Sequence, residues 1–155
     1  MSELIKLLGG TATAWPLAVR AQTAQPVVGY LAQGSPEGTA DTVQLRAFRL
    51  GLKSTGFVEG QNVVVEYRWA EGRNDKFPAL LADLIGRQVA VIVAPTTPSV
   101  LAAKTATNTI PIVFFTAGDP VDLGLVTSLN LPDRNLTGAT TLYFGSRAEV
   151  AATAA

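Results

Sequence analysis

Hydrophobic residues in this chain follow two alternating rhythms, short unbroken runs and longer stretches spaced by three and four. Val27-Val28-Gly29-Tyr30-Leu31-Ala32, Val89-Ala90-Val91-Ile92-Val93-Ala94 and Ile112-Val113-Phe114-Phe115 are too short for helices and lack polar alternation. Such runs read as strands, the last two buried on both faces near the centre of a parallel sheet. From Asn62 to Trp69, Val63, Val65 and Tyr67 alternate with Val64, Glu66 and Arg68, which marks a strand with a more polar face at a sheet edge. Leu136 to Leu142 supplies a fifth strand.

Between these runs the spacing becomes helical. From Thr39 to Thr55, Val43, Ala47, Leu50 and Leu45, Phe48, Leu52 are apolar, Arg46, Arg49 and Lys53 take the other face, and Gly56 stops the helix. A second helix is predicted from Asp75, its N-cap, to Arg87, with Pro78 in the first turn and Leu80, Leu81, Leu84 and Ile85 inward. A third covers Ser99 to Thr107, built on Val100, Leu101, Ala103 and Lys104. A fourth begins at Asp119-Pro120, uses Val121, Leu123, Leu125, Val126 and Leu129, and breaks at Asn130-Leu131-Pro132-Asp133-Arg134. Strands alternating with helices predict an α/β fold, a doubly wound parallel sheet of about five strands in the order 2-1-3-4-5.

Composition narrows the chemistry. Of 155 residues, 12 are basic and 12 acidic, so there is no charge footprint for nucleic acid or an anionic surface. The chain has no Cys and no His, which removes disulfides, thiolate nucleophiles, imidazole bases and the commonest zinc ligands. No G-x-G-x-x-G, no phosphate-binding Gly-Lys-Ser/Thr loop and no G-x-S-x-G elbow occurs. A receiver domain needs acidic residues where this chain has Gln33 and Pro95. The expectation is a binding protein, not an enzyme, with no cofactor and no metal.

Three segments are expected. Residues 1–21 resemble a secretory leader, with Lys6, an apolar middle from Leu7 to Ala18, and Val19-Arg20-Ala21 placing cleavage before Gln22; the alternative is a disordered or helical extension that leaves the chain in the cytoplasm. Residues 26–142 form the α/β unit. Residues 143–155 are an Ala-rich tail expected to be disordered, its Ser146 to Ala155 having no helix to pack against.

Candidate binding residues lie at the carboxyl ends of strands one, three and four, where open α/β sheets hold ligands. Gly34, Ser35, Glu37, Gly38 and Thr39 form the first loop, Thr96 and Thr97 between two prolines the second, and Gly118 and Asp119 the third. Ser35, Thr39, one of the two threonines and Asp119 are equally suited to capping helices. Tyr67 and Trp69 could stack on an aromatic ligand or simply pack.

The strings Leu7-Leu8-Gly9-Gly10, Ala14-Trp15-Pro16-Leu17-Ala18, Phe48-Arg49-Leu50-Gly51-Leu52-Lys53, Gly56-Phe57-Val58-Glu59-Gly60-Gln61-Asn62-Val63, Glu66-Tyr67-Arg68-Trp69-Ala70-Glu71-Gly72 and Gly118-Asp119-Pro120-Val121 resemble the ABC-transporter substrate-binding protein family. More narrowly, they resemble its group linked to tryptophan and tyrosine uptake. The resemblance covers about residues 7 to 142.

It implies a type I periplasmic binding fold, two α/β lobes closing on a solute, with this chain as the N-terminal lobe. It further implies a periplasmic location, an ABC permease as partner, and an amino-acid-like ligand met by Ser35, Thr96, Thr97, Gly118 and Asp119. Two features depart from the family. Met1 to Lys6 lacks an arginine-rich start, and the family runs to about twice this length, so the chain is expected to be truncated to one lobe and to self-associate through its exposed face. The competing expectations are a stand-alone flavodoxin-like or receiver-like domain, or a non-functional fragment.

Overall fold

A computed structural model describes residues 25–39, 42–128 and 135–141. The leader (1–21) and the tail (143–155) lie outside the described residues. Five parallel strands form one sheet: β1 (Val27–Ala32), β2 (Val64–Trp69), β3 (Val91–Ala94), β4 (Ile112–Thr116) and β5 (Leu136–Thr140). Their order is β2-β1-β3-β4-β5, as the sequence predicts. The polar strand β2 is at an edge.

Among the described residues four α-helices accompany them: α1 (Pro36–Thr39), α2 (Val43–Ser54), α3 (Phe77–Gly86) and α4 (Thr97–Ala106). Right-handed crossovers that step leftward along the sheet (β1 to β2) and rightward (β2 to β3, β3 to β4) must lie on opposite faces. Hence α3 and α4 share one face. Leu31, Phe77, Leu81, Leu84, Ile92, Val100, Ile112 and Leu136 are buried between them and the sheet. On the other face α2 lies over β1 and β2, where Leu45 packs with Tyr30 and Ala32 and is flanked by Phe48, Tyr67 and Trp69.

Four expectations are corrected. First, β4 is not buried on both faces: Ile112, Phe114 and Thr116 are buried, but Val113 is 40% exposed and Phe115 only half-buried. Among the described residues, no helix covers β3 to β5 on the α2 side. Second, α2 turns only Leu45, Phe48 and Leu52 inward, while Val43 and Leu50 are 71% and 69% exposed.

Third, Asp75 does not cap α3, because its carboxylate pairs with Arg73 at 2.8 Å. The chain enters α3 through a 3-10 turn, Asn74–Lys76. Fourth, the described residues 119–128 form no α-helix. Leu125 N–H bonds to Pro120 C=O and Gly124 N–H to Val121 C=O, with Gly124 at φ +64°. This is a Schellman closure, which stops the chain after a single turn. The same device ends α2, where Gly56 has φ +86° and Phe57 N–H reaches Leu52 C=O.

Candidate ligand-binding site

The strand order reverses between β1, whose chain turns left to β2, and β3, which lies to its right. In open α/β sheets that switch point leaves a crevice beyond the carboxyl ends of the strands. Here it is a cavity of about 430 Å³, lined by Tyr30, Ala32, Gln33, Gly34, Thr42, Gln44, Gly72, Pro95 and Thr96. None of these carries a charge. Its polar groups are two amides, two aliphatic hydroxyls and a phenol, set among apolar walls.

Each wall is held in place by local bonds. The β1 loop is tied to the β2 loop, since Gly72 N–H donates to Gln33 C=O at 2.7 Å and Glu71 N–H to Gly34 C=O at 3.0 Å. The Gln33 side-chain amide donates to Asn74 Oδ1 at 3.3 Å. Thr42 is the N-cap of α2, its hydroxyl accepting from Leu45 N–H at 3.3 Å. Tyr30 forms the floor with 1% exposure. Burial pushes its hydroxyl up to about 12, with Tyr67 adding to the shift, so it stays protonated at neutral pH.

Thr96 caps α4 in a reciprocal capping box with Ser99. Its hydroxyl accepts from Ser99 N–H at 3.4 Å and donates to Ser99 Oγ at 3.0 Å. The proton is thus spent on the cap, and toward the cavity Thr96 offers an acceptor. Capping and cavity-lining coexist in this one side chain.

Ser35, Thr97, Gly118 and Asp119 do not line the cavity. Ser35 accepts from Gly38 N–H at 3.3 Å and closes the short α1 turn. Thr97 shares a 2.7 Å hydrogen bond with the buried Thr116 at the end of β4. Gly118 N–H donates to the same Thr116 hydroxyl at 3.3 Å, and Gly118 C=O accepts from Thr140 at 2.7 Å. Asp119 Oδ1 accepts from Val121 N–H at 2.8 Å, a local turn bond.

The structure therefore brings Thr97 and Gly118 into one hydroxyl network along the β3-β4-β5 edge. It places Thr96 in the cavity, and Ser35 and Asp119 in turns. Tyr67 and Trp69 stack with centroids 5.7 Å apart beneath α2 and belong to its packing. Tyr30, Gln33, Thr42, Gln44 and Gly72 line the cavity without having been singled out, because they converge from separate elements and share no local motif.

Among the described residues, no cluster of His, Cys, Asp or Glu suited to a metal ion is present. The nearby ion pairs, Arg73 with Asp75 and Lys76 with Glu71, belong to the loop after β2. Each cation holds its carboxylate partner below the usual range.

Known proteins share this framework. A tyrosine-binding protein of Clostridioides difficile (strain R20291) is 31% identical over 93 residues, which is 60% of this chain and 27% of that protein. A solved conserved domain protein from Vibrio cholerae O1 biovar eltor is 32% identical with TM-score 0.65, over 74% of this chain and 38% of the other. The ligand-free, open structure of a substrate binding protein with adhesive properties from Clostridium difficile superposes at TM-score 0.69 and 24% identity, over 83% of this chain and 43% of that one. The chain thus spans well under half the length of each. Residues 37–143, from α1 to just past β5, match the family described as ABC transporter substrate binding protein, and the chain belongs to that family.

Proposed function

We propose that this chain binds a small uncharged or zwitterionic organic solute, an amino acid, at the switch-point cavity, as the solute-binding lobe of an ABC importer working outside the cytoplasmic membrane. The observation that carries the reading is the cavity itself, uncharged, about 430 Å³ and placed between the β1 and β3 loops. That volume falls in the range of small-molecule sites. The side chains fit the chemistry, with the Thr96 acceptor suited to an ammonium group and the Gln33 and Gln44 amides suited to polar groups of a solute. Apolar walls would take its carbon skeleton. Family membership and the tyrosine-binding relative support the amino-acid class.

One lobe supplies one wall. Closure of a second surface over the ligand is what excludes water and tightens binding in two-lobed proteins, so the described lobe is expected to bind weakly. Ser35, Thr97, Gly118 and Asp119 are proposed to border the ligand rather than to grip it. The test is an NMR titration of the chain with L-tyrosine and other amino acids. Millimolar shifts at Gln33, Gly34 and Thr96, abolished in Gln33→Ala, are expected. Tight binding of a flavin or nucleotide, or a yellow purified protein, would overturn the reading in favour of a flavodoxin-like domain.

A further inference from the structure

Two tyrosines stand side by side against α2, and their hydroxyls fare differently. Tyr30 on β1 and Tyr67 on β2 are register partners, with ring centroids 5.6 Å apart. The Tyr67 hydroxyl is fully used, donating to Glu59 Oε2 at 3.0 Å and accepting from Arg49 Nε at 3.2 Å. The Tyr30 hydroxyl bonds to no described residue, although Tyr30 is only 1% exposed. A buried phenol ordinarily has a partner. Among the described residues no fully enclosed side-chain nitrogen or oxygen lacks one, so this hydroxyl is not sealed in packing and opens on the space beside it.

That space has two parts. Tyr30, Gln44 and Pro95 line both the switch-point cavity and an adjoining recess of about 360 Å³. Apart from Tyr30 and Gln44, the lining of the recess is apolar. The polar groups that share a ligand with an unpaired hydroxyl are therefore on the cavity side.

There the N-terminus of α2 abuts the cavity through Thr42 and Gln44. Leu45 N–H is taken by the Thr42 hydroxyl, but the N–H groups of Val43 and Gln44 have no acceptor within the helix, and the helix end carries partial positive charge. Because the Thr42 hydroxyl accepts from Leu45, its proton is left to donate. The N-terminus of α4 across the cavity is closed by comparison. Pro98 has no N–H, Ser99 N–H is held by Thr96, and the Thr96 proton is spent on Ser99. Donors thus gather on the α2 side and an acceptor on the α4 side.

We propose that the Tyr30 hydroxyl and the N-terminus of α2 form a carboxylate subsite, so that this lobe selects solutes by their carboxylate and turns their ammonium toward Thr96. The inference rests on the solute-binding reading of the cavity. Hydrogen bonds to a charged acceptor and the helix dipole hold an anion without a cationic side chain. Burial keeps the Tyr30 phenol protonated at neutral pH, so it donates to a carboxylate and does not repel it.

The test is an NMR titration of the 155-residue chain with L-phenylalanine, 3-phenylpropionate, which keeps only the carboxylate, and phenethylamine, which keeps only the ammonium. The first two are expected to shift the Val43 and Gln44 amides, and Tyr30→Phe to weaken both by about tenfold or more. Phenethylamine is expected to leave those amides in place and to bind both proteins equally. Tyr30→Phe retains the ring that packs on Phe48 at 5.0 Å, so circular dichroism is expected to show an unaltered fold. A readout without substitution is the carbon-13 resonance of Tyr30 Cζ, expected to move with 3-phenylpropionate and not with phenethylamine. Equal shifts of Val43 and Gln44 by those two probes, or a Tyr30→Phe chain that binds 3-phenylpropionate as tightly as wild type, overturn the carboxylate subsite and leave the cavity standing as a solute site. No shift at Gln33, Gly34 or Thr96 with any of the three overturns the solute site itself, and the subsite with it.

Discussion

The two faces of the sheet differ in how completely they are dressed. Under α3 and α4, Ile92, Ile112, Leu81, Leu84 and Val100 are all at 0% exposure. On the α2 side, burial is complete only at Tyr30, Ala32 and Leu45, β2 is half-buried throughout, and β4 carries an exposed Val113 and a half-buried Phe115. Successive residues of one strand thus occupy different environments. Ile112 and Val113 are neighbours in sequence, share a backbone and have similar chemistry, yet one is core and the other surface. The lesson is that an apolar run specifies a strand, while the helices' positions decide which of its sides is core.

The sharpest way to break this contrast is to shorten both neighbours in dilute protein. Ile112→Ala is expected to cost about 2 to 5 kcal/mol through lost burial and a residual cavity. Val113→Ala is expected to cost under about 1 kcal/mol, as surface changes do. Urea midpoints at unchanged slope measure both. Equal costs would mean that the Val113 side of β4 is covered as fully as the Ile112 side.

The next contrast is one of enlargement. Gly138 on β5 faces the covered side, where an added Cβ would lie 2.2 Å from Phe114 O and 2.6 Å from its ring. Gly138→Ala is therefore expected to cost about 1 to 3 kcal/mol. Ala139→Val, one residue on and facing the open side, should leave the thermal midpoint within a degree or two.

At the carboxyl edge, Thr96→Val removes the half of the capping box that its hydroxyl makes, leaving the backbone N–H of residue 96 bonded to Ser99 Oγ, and should cost about 1 kcal/mol, with Thr96→Ser restoring most of it. If Thr96 also meets the solute, Thr96→Ser should restore solute-induced shifts as well. A stability-only role predicts no change in them.

The smallest expected effect lies on the solvent side of the covered face. Asp83 accepts from Arg68 at 2.6 Å and from Arg87 at 3.3 Å. The bond from Arg68 is the main cause holding its carboxyl below the ordinary range, with Arg87 contributing less. A depressed carboxylate stabilises the fold fully above its unfolded value of about 4 and loses that contribution as pH falls through its folded value. Asp83→Asn should thus flatten the acid limb of a stability-versus-pH curve slightly and leave stability near pH 7 lower. The pair is largely exposed, so added salt should reduce the difference.

Much of this was legible in the chain. The strand order followed from three unbroken apolar runs, one alternating run and the rule that crossovers are right-handed, and the family from strings such as Gly56 to Val63 that the match over residues 37–143 confirms. What escaped was relational. Spacing placed Val43, Ala47 and Leu50 with Leu45, Phe48 and Leu52 in one apolar set, because periodicity counts apolar positions and cannot tell which arc meets a sheet. The helix expected at Asp119 had the right apolar spacing. Gly124, five residues on, was the signal against it, since its left-handed conformation closes a turn. Thr96 was found because a Thr before a Pro-containing helix start stands out locally. Gln33, Thr42 and Gln44 were not, because only the folded sheet gathers them.

The central position of β1 has a consequence for how the molecule is made. Among the described strands it is the first to leave the ribosome, yet it pairs on both edges, with β2 through six positions and with β3 through three. Its left edge can be satisfied once β2 emerges, while its right edge must stay unpaired through the synthesis of the whole of α3. During that interval a Val-rich edge is open to any passing strand. Chaperone dependence during synthesis is therefore expected to fall once Ala94 has cleared the exit tunnel, and to peak just before.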